Sequence, residues 1–370
     1  MRFLFVLEHF EPYLGGAEKL FGQVTRMLVE KGHSVKVITT LHDSGLAKRE
    51  KLDGVEIYRI RCFNRFLFTL VSLPHVWRAS RDVDIIHTTT YNAAIPAWLT
   101  GFIRRRPTVI TFHEYWGKLW FSLPFLQSWQ RLLYYCFEQL VVRLTFDHYI
   151  AVSEATKSSL VEAGVQRERI TRIYNGIDYS LYPSNQESLD ETFSVVFVGR
   201  LGVSKGLDLL LPAWGAFVAT DEGSGGLLRL VAPRYPKAIW QQVQGLMAKH
   251  CPQDSLEVLH ELSNLELRAV MQKSHAIVIP SYTEGFCFVA AEAVAQGIPI
   301  ISSGKKALAE VVTGKYITME LLSVSALVES LVKSRQGKWD NLPLRKFQLE
   351  NSVVAYLELY NRLHDLQRKI

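Results

Sequence analysis

The chain has 370 residues, 48% hydrophobic and 21% charged, enough for two cores and without the bias of a disordered segment. Cys62, Cys136, Cys251 and Cys287 are scattered with no C-x-x-C pair, which excludes a zinc knuckle or a disulfide scaffold and suits a reducing compartment, the cytoplasm. The net charge of +6 lies wholly in residues 1–183, where 23 Lys and Arg face 17 Asp and Glu. No zinc-finger, RRM or KH motif accompanies that charge, so nucleic acid is not the expected partner. Met1 to Leu7 runs into Glu8 without the length or small-residue exit of a signal peptide, and no apolar run reaches transmembrane length.

The elements alternate from the start. Arg2–Leu7 is read as a strand, Ala17–Lys31 as a helix with Leu20, Phe21, Val24, Met27 and Leu28 on one stripe, and Ser34–Thr40 as a strand. Between the first two stand Gly15 and Gly16, which fit either an ordinary tight turn or close backbone approach by a ligand with positive φ. They do not form G-x-G-x-x-G, which argues against a dinucleotide. Strands follow at Val55–Ile60, Val83–His87, Thr108–Phe112 and His148–Val152. His87, at another strand end, is read as an ordinary histidine satisfied by the backbone. His113, directly after Thr108–Phe112, is either a backbone-satisfied strand end or a site residue. Aromatic and basic residues crowd Phe63–Trp77 and Trp116–Arg143, with Arg104, Arg105 and Arg106 between, as in a membrane-interface surface or a core with a solvated rim.

A polar stretch, Tyr182–Ser188, reads as a linker, and a second series begins: Phe193–Val198, Leu228–Val231, Leu256–Leu259, Ala276–Pro280 and Ile298–Ser302. Continuous apolar strands separated by helices imply parallel sheets covered on both faces. Two such series imply an α/β chain of two Rossmann-like domains, 1–183 and 184–348, with a last helix from Leu349 to Lys369 that returns to the first. Arg200 and Lys205 leave the first strand of the second series among glycines, as either a solvated basic loop or a diphosphate site. Glu284 sits in a strand-to-helix loop and Glu292 about a turn inside the helix Phe288–Gln296, which Gly297 closes. The N–H groups of Gly285, Phe286, Cys287 and Phe288 at that helix start favour an anion. Two carboxylates around an amide nest suit a ligand with hydroxyls at both ends and phosphates between, the form of a nucleotide sugar.

Gly15-Gly16-Ala17-Glu18, Asn175-Gly176-Ile177-Asp178, Gly199-Arg200-Leu201 with Lys205-Gly206, and the Glu284/Glu292 pair stand in the order found in retaining GT-B glycosyltransferases. The chain resembles family four of these, which includes sucrose synthase and many cell-envelope enzymes. That resemblance implies two Rossmann-like domains facing a central cleft. Arg200 and Lys205 would hold the donor diphosphate, Glu292 the ribose, and Glu284 with the amides of Gly285, Phe286 and Cys287 the sugar or phosphate. Gly15 and Gly16 would approach the diphosphate from the first domain, and His113 would face the donor sugar. The implied reaction is transfer of a hexosyl group from a UDP- or GDP-sugar, with retention, by front-face attack and without metal or other cofactor. Cys287, Ser303–Glu310 and Ala232-Pro233-Arg234 depart from the family pattern and bear on which base and sugar bind. A nucleotide-sugar 2-epimerase of the same fold and a non-catalytic nucleotide-sugar-binding protein are the alternatives. The basic, aromatic first half leads us to expect a lipid-linked or envelope-glycan acceptor and a peripheral enzyme on the anionic inner face of the membrane.

Overall fold

A computed structural model describes residues 1–13, 15–182 and 188–368. The central part of the expected linker, 183–187, and Lys369 of the expected last helix lie outside the described residues. The chain divides into two compact units. Unit 1 comprises Met1–Lys118, Leu132–Gly176 and Gln348–Ile370; unit 2 comprises Leu119–Arg131 and Ile177–Phe347.

Unit 1 is built on eight strands: β1 (Arg2–Val6), β2 (Ser34–Thr40), β3 (Arg49–Leu52), β4 (Val55–Ile60), β5 (Ile85–Thr89), β6 (Thr108–Phe112), β7 (His148–Ala151) and β8 (Ile170–Arg172). Their order is β3-β4-β2-β1-β5-β6-β7-β8. Central strands are buried on both faces: Phe3, Leu4, Phe5 and Val6 of β1 are covered, with Phe3 in register with Val35 on one side and Ile85 on the other. Pairing is parallel except at the edge, where β3 runs antiparallel to β4. The helix Leu349–Arg368 belongs to this unit and buries Val353, Tyr356, Tyr360 and Leu363, a stripe at three- and four-residue spacing.

Unit 2 holds β9 (Ser194–Val198), β10 (Leu227–Val231), β11 (Leu256–Leu259), β12 (Ala276–Ile279), β13 (Ile300–Ser302), β14 (Gly314–Thr318) and β15 (Asp340–Leu342), in the order β11-β10-β9-β12-β13-β14-β15. Here too the sheet is parallel except at one edge, β15 against β14. Val195, Phe197, Leu228 and Leu230 join Trp214 and Phe217 of the helix Leu207–Val218 in one core. Each such side chain contributes about 1.5–3 kcal/mol by leaving water. The Trp214 indole N–H donates to the Ser255 carbonyl at 3.0 Å, so its single polar atom is satisfied as well.

Candidate active site

The strand order of unit 2 reverses between β9 and β12, which pair directly through Ala276 with Val195 and Ile277 with Val196. Open parallel sheets bind ligands beyond the carboxyl ends of strands at such a point. The loop after β9 carries Arg200 and Lys205, and the loop after β12 carries Glu284.

The two loops are laced together. Gly206 has φ +72° and ends the first loop; a Cβ there would lie 2.1 Å from the Pro280 carbonyl oxygen, so only glycine lets the second loop pass so close. The Tyr282 N–H donates to the Ser204 carbonyl at 2.7 Å, and the Tyr282 hydroxyl to Asp208 at 2.7 Å. The Lys205 ammonium then donates to Glu284 Oε1 at 2.7 Å, and the Ser281 hydroxyl donates to the same oxygen at 2.7 Å. Glu284 keeps 7% of its side-chain surface exposed and Lys205 28%. A carboxylate so covered loses hydration and is held by these charge-assisted bonds. The ammonium of Lys205 is a three-donor group, and Arg200 on the same loop is exposed.

Beyond Glu284, Gly285 and Phe286 are buried, with Phe286 edge-on to Phe288 and Phe347 at 5.3 and 5.2 Å. Cys287 stands at the N-terminus of the helix Phe288–Gln296 with φ +71°, a conformation costly for a residue with a Cβ. Burial, aided by the Glu284 charge, pushes its thiol pKa far up, so Cys287 is a small buried residue there and not a thiolate. The helix starts at this edge of the sheet, where the positive end of its dipole favours an anion. One turn on, Glu292 Oε1 accepts from the Tyr182 hydroxyl at 2.7 Å. Burial and the Glu292 charge together raise the Tyr182 phenol well above its usual range. The structure thus brings Lys205 and Glu284 into contact, with Arg200 on the same loop as Lys205 and Glu292 on the helix that follows Glu284. Tyr182, Ser281 and Asp208 are partners that carry no signal of their own in the sequence. Tyr182 lies 110 residues from its glutamate, and nothing local marks that pairing.

The unit 1 candidates are Gly15, Gly16 and His113. Gly15 precedes the helix Gly16–Glu30 and its carbonyl accepts from the Lys19 N–H at 3.0 Å. Its φ of 179° is extended, and Gly16 is helical; the positive φ expected for this pair is absent. What glycine offers there is the missing side chain. His113 follows β6, half-buried, with its ring edge-on to Phe21 of the same helix at 5.9 Å. Glu138, buried, accepts from the N–H groups of Trp116 and Gly117 at 3.0 and 2.7 Å and so holds the turn after His113. His87 is fully buried between Thr111 and Tyr360, and its pKa is lowered to about 3 by desolvation. It is a neutral core histidine linking β5 to the last helix.

Residues 14–181 match the family Glycosyltransferase Family 4, and residues 192–334 match Glycosyl transferases group 1. A human phosphatidylinositol N-acetylglucosaminyltransferase subunit is 26% identical over 341 residues, covering 89% of this chain and 67% of that protein. The GDP-mannose:cellobiosyl-diphosphopolyprenol alpha-mannosyltransferase of Xanthomonas oryzae is 26% identical over 310 residues, covering 82% and 78%. Among solved structures, sucrose-phosphate synthase from Thermosynechococcus elongatus superposes with TM-score 0.76 over 99% of both chains at 19% identity. The catalytic domain of starch synthase IV from Arabidopsis thaliana does so with TM-score 0.71, over 98% of this chain and 99% of that one, at 14% identity. With two mostly parallel α/β units, glycosyltransferase families matched in both halves and GT-B enzymes as its structural neighbours, the chain belongs to glycosyltransferase family four.

Proposed function

We propose that this glycosyltransferase moves a hexosyl group from a UDP- or GDP-sugar to a hydroxyl of a lipid-linked acceptor, with retention and without a metal ion. The observation that carries the donor half is the Lys205–Glu284 contact at the switch point of unit 2, with Arg200 and a helix N-terminus on the flanking elements. Positive charge from Arg200, Lys205 and the helix amides would balance the diphosphate as it leaves. Glu292 suits ribose hydroxyls, Glu284 and the amides of Gly285, Phe286 and Cys287 suit the sugar and phosphates, and Gly15, Gly16 and His113 are assigned to the unit 1 side of the donor. In the reaction the C1–O bond to the β-phosphate breaks with its electron pair kept by the phosphate oxygen. The acceptor oxygen bonds to C1 on the same face, and its proton passes to the departing phosphate.

The acceptor half rests on the surface of unit 1. Residues 61–81 hold four arginines, all exposed, and no Asp or Glu, and Arg104, Arg105 and Arg106 follow. Phe63 is 96% exposed and Phe102 70%, with Phe66, Leu70 and Ile103 also exposed. The Arg104 guanidinium lies 3.8 Å above the Trp77 ring. Apolar side chains among arginines are what an anionic bilayer attracts. The part of the helix Ser128–Arg143 that belongs to unit 1 likewise exposes Leu132, Leu133 and Leu140. Among the described residues no helix is long and apolar enough to cross a membrane, and the proposed attachment is peripheral. Two relatives whose names specify lipid acceptors support the same reading.

The test is a panel of UDP- and GDP-sugars with phosphatidylinositol and glycosylated diphosphopolyprenol, the product's anomeric configuration being read by NMR. Transfer with the donor's anomeric configuration kept is expected. An epimerised nucleotide sugar, or nucleotide binding without turnover, would contradict it.

A further inference from the structure

Unit 1 has a switch point of its own, at β1, which lies between β2 and β5. The loops leaving β1 and β5 there carry a cluster that the donor half of the proposal leaves unused. Glu8, two residues after β1, is 7% exposed, and its Oε2 accepts from the Asn92 side-chain amide at 2.9 Å. Asn92 is itself buried. Arg65 Nε stands 2.8 Å from the other Glu8 oxygen, from an exposed turn. His9 Nε2 lies 3.5 Å from that oxygen and its ring stacks on Tyr13, centroids 4.0 Å apart and planes 6° apart. Tyr91, beside Asn92, holds φ +73°, a strained conformation of the kind found at binding sites.

A tie between two strands needs no carboxylate, and covering one is costly. Here a carboxylate, an amide and a guanidinium converge where a parallel sheet takes its ligand, beside a stacked aromatic pair. A carboxylate accepts from two hydroxyls, an amide both donates and accepts, and an arginine donates to a hydroxyl or phosphate oxygen. We propose that Glu8, Asn92 and Arg65 form the acceptor subsite of this enzyme and bind a six-membered ring, a sugar or a cyclitol, through neighbouring hydroxyls. The inference rests on the sugar-transfer reading and names the acceptor class within it.

Myo-inositol and cellobiose, titrated separately into the full-length protein with and without UDP or GDP, test this by saturation-transfer NMR. One of the two rings should bind the wild-type chain. Its affinity should fall at least tenfold in Glu8→Gln and Asn92→Ala and several-fold in Arg65→Ala, each variant being confirmed as folded by circular dichroism. Nucleotide affinity by calorimetry should stay within threefold in all three. The subsite is overturned if neither ring binds, or if binding survives in Arg65→Ala and in a folded Glu8→Gln. Loss of nucleotide binding by the wild-type chain with ring binding intact would count against the donor assignment and leave the subsite standing.

Discussion

Lys205 and Glu284 shape each other's role. Glu284 is covered and Lys205 partly so, and their 2.7 Å contact ties a three-donor cation to the edge of the switch point. Lys205→Ala therefore removes charge that the leaving diphosphate needs most in the transition state and strips Glu284 of its counter-charge. Turnover should fall by about 10²–10³-fold while donor affinity changes much less. On the proposed function Glu292 contributes to ground-state binding, so Glu292→Ala should weaken nucleotide binding by about 1–3 kcal/mol, read by calorimetry. Unchanged affinity would remove it from the site. The residue types and loops of this constellation are legible in the sequence because strand-end cations and a helix-start glutamate pair are local patterns. Its pairings are not. Tyr182 with Glu292 and Tyr282 with Asp208 join residues far apart in the chain, which only the packed sheet brings together.

Elements explain both what can be read and what cannot. Buried strands such as β1, β9 and β12 announce themselves by continuous apolar runs. The strands with no such signal are β3, β8, β14 and β15; β3 and β15 are exposed, polar edge strands aligned by a neighbour's backbone. The apolar pattern places β5 at Val83–His87, yet the strand runs Ile85–Thr89, because its threonines pair with β1 and β6 despite their polarity. The junction of the two unit 2 loops gives a prediction at this scale. Gly206→Ala meets both the left-handed φ and the Pro280 carbonyl, so it should cost about 2 kcal/mol or more of stability and weaken donor binding. Gly297→Ala, with φ +70° and open space around it, should cost about 1 kcal/mol and leave donor binding alone. Urea unfolding and calorimetry on the pair separate the two; equal effects would show that the loop contact is unimportant.

At the scale of the whole molecule, buried imidazoles set the acid limit. Burial holds His87 at about 3 and His148 at about 4, against 6.5 for the solvated ring. Between those values the unfolded chain binds more protons, so stability is complete above about pH 6.5 and declines as pH falls, by up to about 1.4 kcal/mol per pH unit for each ring. A urea midpoint independent of pH from 6.5 to 4.5 would contradict this. Sedimentation with anionic liposomes at low ionic strength should fall with salt and with Arg104, Arg105 and Arg106 changed to alanine. Indifference to such liposomes would sink the membrane reading without touching sugar transfer. At the centre of the proposed function, protein charge at the β9/β12 switch point would take the place of a metal ion in sugar transfer. The most direct measurement is nucleoside diphosphate release from the donor sugar in excess chelator, wild type beside Lys205→Ala. The account predicts undiminished wild-type turnover and a drop of about two orders of magnitude in the variant at saturating donor; a strict divalent-metal requirement, or a variant as fast as the wild type, would contradict it.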